Sequence, residues 1–184
     1  MFESEQFIEE CRAALAESDV QGAINEIVKR AVGEPAQIIR AWGEPKLAGV
    51  ETIHHAPDLT ILNLHWGPNM DIHPHDHRMW AVIGIYGGRE DNKFYRRSED
   101  GLTQHGLKQL NAKDTAPLGE TIIHSVSNPL DTITSALHVY GGDFFDTPRS
   151  EWDPETFEEH PYDVEHTMRV FEESNRHLRE PAQG

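Results

Sequence analysis

The sequence has little positive charge, almost no cysteine and no long hydrophobic run. Its 184 residues include 16 Lys and Arg against 32 Asp and Glu, a formal net charge of −16. Binding a phosphate backbone needs positive charge, so this balance excludes a nucleic-acid partner and equally disfavours an anionic membrane face. The single cysteine, Cys11, rules out an internal disulfide.

Targeting and membrane segments are absent as well. The first residues, MFESEQFIEEC, lack the basic and apolar regions of a signal peptide, and the longest apolar run, 80–86, is far too short to span a bilayer. We therefore expect a cytoplasmic protein with no membrane partner. At this length we expect one domain, 1–184, around a single core.

What the sequence does contain is, first, a helical pattern at each end. Apolar residues recur at helical spacing over about 4–17 and 19–33, and Gly33 with Pro35 would end the second helix. A proline-containing tail and a last amphipathic helix are predicted over 143–180.

Between these ends, over about 36–142, the pattern changes to short strands. Runs rich in Ile, Val, Leu, Thr and aromatic residues, such as 59–66 and 132–140, alternate with Gly, Pro, Asn and Asp. Short strands at this spacing predict an all-β sandwich or barrel, and no helical period interrupts them.

Histidine is abundant, with 12 in the chain. His73, His75 and His77 alternate along one segment, and side chains at i and i+2 of a strand share a face. Imidazole suits iron, nickel, copper and zinc. Pro74 lacks a backbone donor, so the strand is predicted to start or bulge there, which places His77 on the strand more securely than His73. Alone, such a run can equally be a solvated loop.

Two later segments support the metal hypothesis. His124 lies at the end of an apolar run, and His138 and Tyr140 share one face of another predicted strand. An early histidine pair and a later histidine on a different strand are a common way for a small β-barrel to build a three-ligand site.

Together these blocks resemble the cupins and, among them, the thiol dioxygenases of the cysteine dioxygenase type. The run 75–77 (His-Asp-His) matches the first cupin block, and 117–119 (Pro-Leu-Gly) with 124–128 matches the second. The usual glutamate ligand is missing, as in the three-histidine thiol dioxygenases, because 80–82 are Trp, Ala and Val. The resemblance covers about 45–142. The expected fold is all-β, a double-stranded β-helix (a jelly-roll-like barrel) with two N-terminal helices and one C-terminal helix.

The resemblance also implies roles for particular residues. His75, His77 and His124 would bind Fe(II), with Ni, Zn or Mn as alternatives. His138 and Tyr140 would be the catalytic residues, because they match the last two members of a Ser-x-His-x-Tyr relay beside the iron.

Several points depart from the family pattern or stay open. The serine position of the relay holds Ala136, with Ser135 one place away. Cys11 lies in the first predicted helix, so no cysteine crosslink to the relay tyrosine is expected, as in the bacterial relatives. A shifted register, with His73 and His75 as the metal-binding pair, stays an alternative.

The family's carboxylate-binding arginine has no counterpart at its usual place, since 50–55 contain none. Substrate-binding residues are therefore unassigned, and the candidates are Arg40, Arg78, Arg89 and Arg149. Free cysteine is consequently a doubtful substrate, and a different small thiol or a substrate without a carboxylate is the alternative.

The function implied by the resemblance is Fe(II)-dependent oxidation of a small thiol to its sulfinate with O2. Two alternatives stay open: a three-histidine metal cupin acting on a non-thiol substrate as a lyase, isomerase or other dioxygenase, and a non-catalytic ligand-binding cupin. The expected partners are a small-molecule substrate and O2, and a homodimer is allowed because cupins often dimerise.

Overall fold

A computed structural model describes residues 1–99 and 101–179, so residue 180 of the predicted C-terminal segment lies outside the described residues. The helices of this part of the chain are α1 (Ser4–Ala14), α2 (Val20–Val32), α3 (Pro35–Trp42) and α4 (Val164–Arg179). Its strands are β1 (Gly49–Ala56), β2 (Leu59–Trp66), β3 (Asp71–Asp76), β4 (Ala81–Gly87), β5 (Arg89–Ser98), β6 (Gly101–Asn111), β7 (Thr115–Leu118), β8 (Ile123–Ser127), β9 (Thr134–Tyr140), β10 (Ser150–Trp152) and β11 (Glu159–Pro161). Over the described range, each helix is too short or too polar to pass through a lipid bilayer.

The strands form two antiparallel sheets, which confirms the predicted all-β double-stranded β-helix. One sheet has the order β1-β2-β9-β4-β7 and the other the order β11-β10-β3-β8-β5-β6. Neighbours in space are distant in sequence, since β9 pairs with both β2 and β4. This winding brings the histidines of β3, β8 and β9 into one interior.

The core has two layers because the five-stranded sheet is covered on both faces. Leu62 and Ile83 pack in the cluster between the sheets, whereas Ile61 and Val139 pack against the helical layer around Val28. Strands β2, β4 and β9 are therefore buried almost throughout. Burial on both faces explains why β4 is a continuous apolar run in the sequence, whereas β2 and β9 also bury polar residues such as Asn63 and His138.

The N-terminal helices differ from the prediction of two. Pro35 does not only end α2 but begins a third helix, α3, because proline costs nothing at a first helical position, where the N–H has no partner in the helix. The strands consequently start at Gly49 and not near 36. At the other end, β10 and β11 extend the six-stranded sheet beyond the predicted limit at 142.

Strand β3 is irregular, as Pro74 predicts. Its pairing with β8 shifts between Ile72 and His75, which is the signature of a bulge. The strand ends at Asp76, so His73 lies within it and His77 follows its end. The sequence-based placement of these two histidines was therefore wrong, because Pro74 interrupts the ladder without starting or ending the strand.

Candidate metal centre

Three histidines from the β3–β8 pair meet at one point of the interior. His75 lies in β3 directly opposite His124 of β8, and His77 follows β3. The Nε2 atom of His77 is 3.2 Å from Nε2 of His75 and 3.2 Å from Nε2 of His124. All three side chains are buried. The structure thus brings together the three histidines predicted as metal ligands.

Hydrogen bonds behind this group determine where the imidazole hydrogens lie. Nδ1 of His75 is 3.0 Å from the backbone carbonyl oxygen of His73, and Nδ1 of His124 is 2.7 Å from Oδ1 of Asn92. Both oxygens can only accept, so each Nδ1 carries the hydrogen. Both rings therefore turn an Nε2 lone pair towards His77.

The three nitrogens do not have enough hydrogens to pair with one another. A hydrogen on Nε2 of His77 would satisfy one of the two lone pairs that face it and leave the other unpaired. One cation between the three nitrogens satisfies all of them, because ligands about 2.0–2.2 Å from an ion lie about 3.0–3.5 Å apart. The donor set fits a metal ion, and imidazole ligands suit iron, nickel, copper or zinc.

Burial also keeps these imidazoles neutral. Removal from solvent lowers the pKa of His75 to about 3. Burial and the neighbouring histidines hold the pKa values of His77 and His124 well below the usual range. Neutral imidazole is the form that binds metal, so protons do not compete for the site at pH 7.

The two predicted catalytic residues, His138 and Tyr140 of β9, lie beside this group. Nδ1 of His138 is 2.9 Å from the hydroxyl oxygen of Tyr140, and the Tyr140 ring meets the ring of His77 edge-on, with 5.0 Å between centroids. Burial raises the pKa of the Tyr140 hydroxyl, which is therefore protonated at neutral pH. The two side chains share a face of β9, as their spacing requires.

Sequence reasoning missed the carboxylate behind His138. Glu90 of β5 is fully buried and accepts hydrogen bonds from Nε1 of Trp66 at 2.7 Å and Nδ2 of Asn92 at 2.9 Å, and lies 3.3 Å from Nε2 of His138. Burial raises the pKa of this carboxyl, but the nearby His138 and the three hydrogen bonds outweigh that effect and lower it. No motif reveals Glu90, since it reaches His138 from the opposite sheet.

The polar partner on the Nε2 side of His138 is Glu90, and not a serine at position 135 or 136. Ala136 is buried and offers no polar group. Ser135 faces the other side of β9, where its Oγ is 3.1 Å from Nδ1 of His65. Glu90, His138 and Tyr140 therefore form a hydrogen-bonded chain of carboxylate, imidazole and phenol.

The three-histidine group, His138 and Tyr140 line a cavity of about 230 Å³ that extends to α4. Its apolar walls include Leu62, Leu64, Ile72, Val126, Phe144, Phe145, Val164, Met168 and Phe171. Among the lining residues in the described part of the chain there is no Asp or Glu, and Arg149 is the one Lys or Arg. The cavity combines apolar walls with one cationic side chain and the three-histidine group.

Arg149 is held in an unusual environment for an arginine. It is 8% exposed, and its guanidinium stacks between Phe144 and Tyr162, 4.1 Å and 4.0 Å from the ring centroids. One terminal nitrogen donates to the backbone carbonyl of Phe144, whereas Nε has no hydrogen-bond partner in the structure described. A guanidinium in the wall of the cavity is suited to an anionic ligand.

The other candidate arginines lie outside the cavity. Arg40 is exposed on α3. Arg78 pairs with Asp76, and Arg89 forms two hydrogen bonds to Asp91. Of the four candidate arginines, Arg149 is therefore the one that lines the cavity. Sequence spacing could not distinguish it from the others.

His73 belongs to a different group from His75. Its Nε2 is 3.0 Å from Oε2 of Glu151, and Nδ1 of His166 is 3.1 Å from Oε1 of the same carboxylate. The rings of His73 and His166 stack in parallel with 4.5 Å between centroids. The carboxylate can accept a hydrogen from each ring, so this group is complete without a metal. It is His77, and not His73, that joins His75 and His124.

No family model matches the sequence. Similar solved structures include a protein from Bacillus halodurans (TM-score 0.48, 12% identity, 61% of this chain and 77% of that chain). A Klebsiella pneumoniae protein with a double-stranded β-helix domain has a TM-score of 0.44 at 14% identity, over 54% of this chain and 76% of that one. An oxalate oxidase in complex with glycolate has a TM-score of 0.43 at 14% identity, over 54% of this chain and 53% of that one.

The strand order and the histidine geometry define the class. Two antiparallel sheets wound as described, with three imidazoles converging between them, make a double-stranded β-helix with a candidate metal site.

Proposed function

We propose that the protein is an iron-dependent dioxygenase that oxidises a small anionic thiol to its sulfinate. The reaction is RS⁻ + O2 → RSO2⁻, in which both oxygen atoms enter the product and no external reductant is needed. The observation that carries the proposal is the convergence of three Nε2 lone pairs at the wall of the cavity, beside the Tyr140 hydroxyl.

The metal site supports this chemistry through its charge. His75, His77 and His124 are neutral, so a divalent ion held by them keeps its full double charge and its remaining coordination positions. Fe(II) held in this way would supply a cation that stabilises a thiolate and the redox chemistry that transfers oxygen to sulfur.

The relay supports the proposal by offering a route for the thiol proton. With one hydrogen on the His138 ring, Nε2–H donates to Glu90 and Nδ1 accepts the hydrogen of the Tyr140 hydroxyl. The phenolic oxygen can then take the proton of an entering thiol while its own hydrogen passes to Nδ1 of His138. The resulting imidazolium is paired with the Glu90 carboxylate, which lowers the cost of its charge.

The lining of the cavity favours a thiol that carries one negative group. Arg149 places a guanidinium in the cavity wall, and this group suits a carboxylate or a similar anion. An ammonium group would find no carboxylate among the described lining residues. We therefore favour a mercapto acid with an apolar body over free cysteine or cysteamine.

The test uses the full chain loaded anaerobically with Fe(II) and then exposed to oxygenated buffer with one thiol at a time. The panel contains a mercaptocarboxylic acid, cysteine, cysteamine and a neutral alkanethiol, with O2 uptake followed by electrode and products by mass spectrometry. We expect one O2 consumed per thiol, sulfinate as the product, and the highest kcat/KM for the mercapto acid.

Two results would contradict the proposal. One is iron-loaded protein that consumes no O2 with any of these thiols. The other is metal-dependent turnover of a substrate in the absence of O2, which would assign the site to a lyase or isomerase.

A further inference from the structure

Glu90 is the centre of two hydrogen-bonded arms that lead to different parts of the site. It is 0% exposed, so its charge depends on protein donors and not on water. Oε2 accepts from Trp66 and lies within reach of His138, and Oε1 accepts from Asn92. One carboxylate therefore touches both the metal side and the tyrosine side of the site.

The first arm runs through Asn92 to His124. Because the Glu90 carboxylate only accepts, Asn92 must turn its NH2 group towards it, at 2.9 Å. The Oδ1 atom of Asn92 then faces Nδ1 of His124, at 2.7 Å, and only an Nδ1–H can donate to it. The orientation of Asn92 thereby leaves Nε2 of His124 unprotonated and free for a metal.

The second arm runs through His138 to Tyr140. The same argument places a hydrogen on Nε2 of His138, which faces Oε2 of Glu90 at 3.3 Å. Its Nδ1 atom then becomes the acceptor for the Tyr140 hydroxyl, 2.9 Å away. The direction of this second hydrogen bond again follows from the carboxylate.

We propose that Glu90 is a positioning residue that fixes the tautomers of His124 and His138 together, and so couples metal binding to the hydrogen-bond direction of Tyr140. This inference rests on the three-histidine metal site of the proposed function, but it does not depend on the substrate being a thiol. Partners behind a metal ligand orient the ligand and raise its basicity, and losing one typically weakens metal binding about 10–100-fold.

Glu90→Gln keeps the shape of the side chain. It removes the ability to accept hydrogen bonds at both terminal atoms, on which the proposal depends. One oxygen becomes an NH2 group that can only donate. If this NH2 faces Asn92, it meets a second NH2, and turning Asn92 over would place an NH2 against Nδ1–H of His124. If it faces the other side, it meets the N–H groups of Trp66 and His138. In at least one of the two arms, the donor and acceptor roles are therefore no longer fixed.

The experiment measures Zn(II) affinity by competition with a chromophoric chelator, and imidazole tautomers by 15N NMR of the metal-free full chain. For Glu90→Gln we expect affinity about tenfold to a hundredfold lower. We also expect the 15N signals of His124 or His138 to report a mixture of tautomers, where the wild type has a single one. The matched control is Asp91→Asn, the same neutralisation at the next residue, where the carboxylate pairs with Arg89 outside the cavity. It should leave both measurements unchanged.

A second variant separates the arms and keeps the test decisive if Glu90→Gln does not fold. Asn92→Ala should weaken Zn(II) binding and disturb His124 while leaving the His138 tautomer as in the wild type. Unchanged affinity and unchanged tautomers in Glu90→Gln, or in Asn92→Ala if only that variant folds, would overturn the inference. If the wild type itself binds no metal, the proposed function fails, and the tautomers of wild type and variants still decide the role of Glu90.

Discussion

The side-chain amide of Asn175 pairs with both backbone polar groups of Ala48. Its Oδ1 accepts from the Ala48 N–H at 2.7 Å, and its Nδ2 donates to the Ala48 carbonyl at 2.9 Å. Asn175 is near the end of α4 and Ala48 precedes β1, so the pair fastens the helix to the sheet. Near the other end of α4, His166 contacts Glu151 at 3.1 Å. Phe171 lies between these contacts and lines the cavity.

Replacing this amide should loosen α4. Asn175→Ala leaves the Ala48 N–H unpaired in a buried position, and we expect the free energy of unfolding to fall by about 1–3 kcal/mol. Urea unfolding followed by circular dichroism measures the change. Gln104→Ala, at an exposed position of β6, is the control and should change stability by less than about 0.5 kcal/mol. Equal effects of the two substitutions would contradict the prediction.

Gly84 allows α2 to approach β4 closely. A Cβ atom there would lie 2.4 Å from Cγ1 of Val28 and 2.9 Å from Cγ1 of Val32. Gly84→Ala should therefore overpack the contact and cost about 1–3 kcal/mol of unfolding free energy. Gly49→Ala meets nothing within 4 Å and should be close to neutral. Thermal melts of both variants test this, and a Gly84→Ala protein as stable as Gly49→Ala would disprove it.

The buried histidines should make the metal-free protein sensitive to acid. The pKa of His75 is about 3 in the folded state, against about 6.5 in an unfolded chain. Between these values the unfolded chain binds a proton that the folded chain does not, so stability falls as pH drops from about 6.5 towards 3. Each such histidine contributes up to about 1.4 kcal/mol per pH unit.

Unfolding measured across that pH range in wild type and His75→Gln checks this contribution. We expect a shallower loss of stability on acidification for His75→Gln. His105→Gln, at an exposed position, should follow the wild-type slope. Parallel curves for His75→Gln and the wild type would show that this histidine does not carry the effect.

Arg149→Met should weaken the binding of an anionic thiol and leave the binding of a neutral thiol almost unchanged. The change keeps an apolar side chain between Phe144 and Tyr162 but removes the guanidinium, and a hydrogen bond to a charged group contributes about 1.5–3 kcal/mol. We expect KM for a mercapto acid to rise at least about tenfold and KM for a neutral thiol to change little. Arg78→Met, outside the cavity, is the control, and an equal rise for both thiols would argue against a role in anion binding.

The parts of the fold that local patterns determine were predictable. The strand at 59–66 appears with these bounds as β2, because the segment is rich in Leu, Ile and Trp and is followed directly by Gly67 and Pro68. The helix α3 was missed because Pro35 is as compatible with starting a helix as with ending one. Glu90 and Arg149 could not be assigned to the site, because each reaches it through strand pairing or loop placement that no short-range spacing encodes.

The bulge at Pro74 has a consequence for comparing this chain with others. In a regular strand, His73 and His75 would share a face, but here one ring contacts Glu151 and the other faces the three-histidine group. An alignment slipped by two residues along 73–77 still superposes histidine on histidine. It nevertheless exchanges a metal-facing ring for one paired with a carboxylate, so matching letters in this segment do not by themselves transfer a ligand assignment.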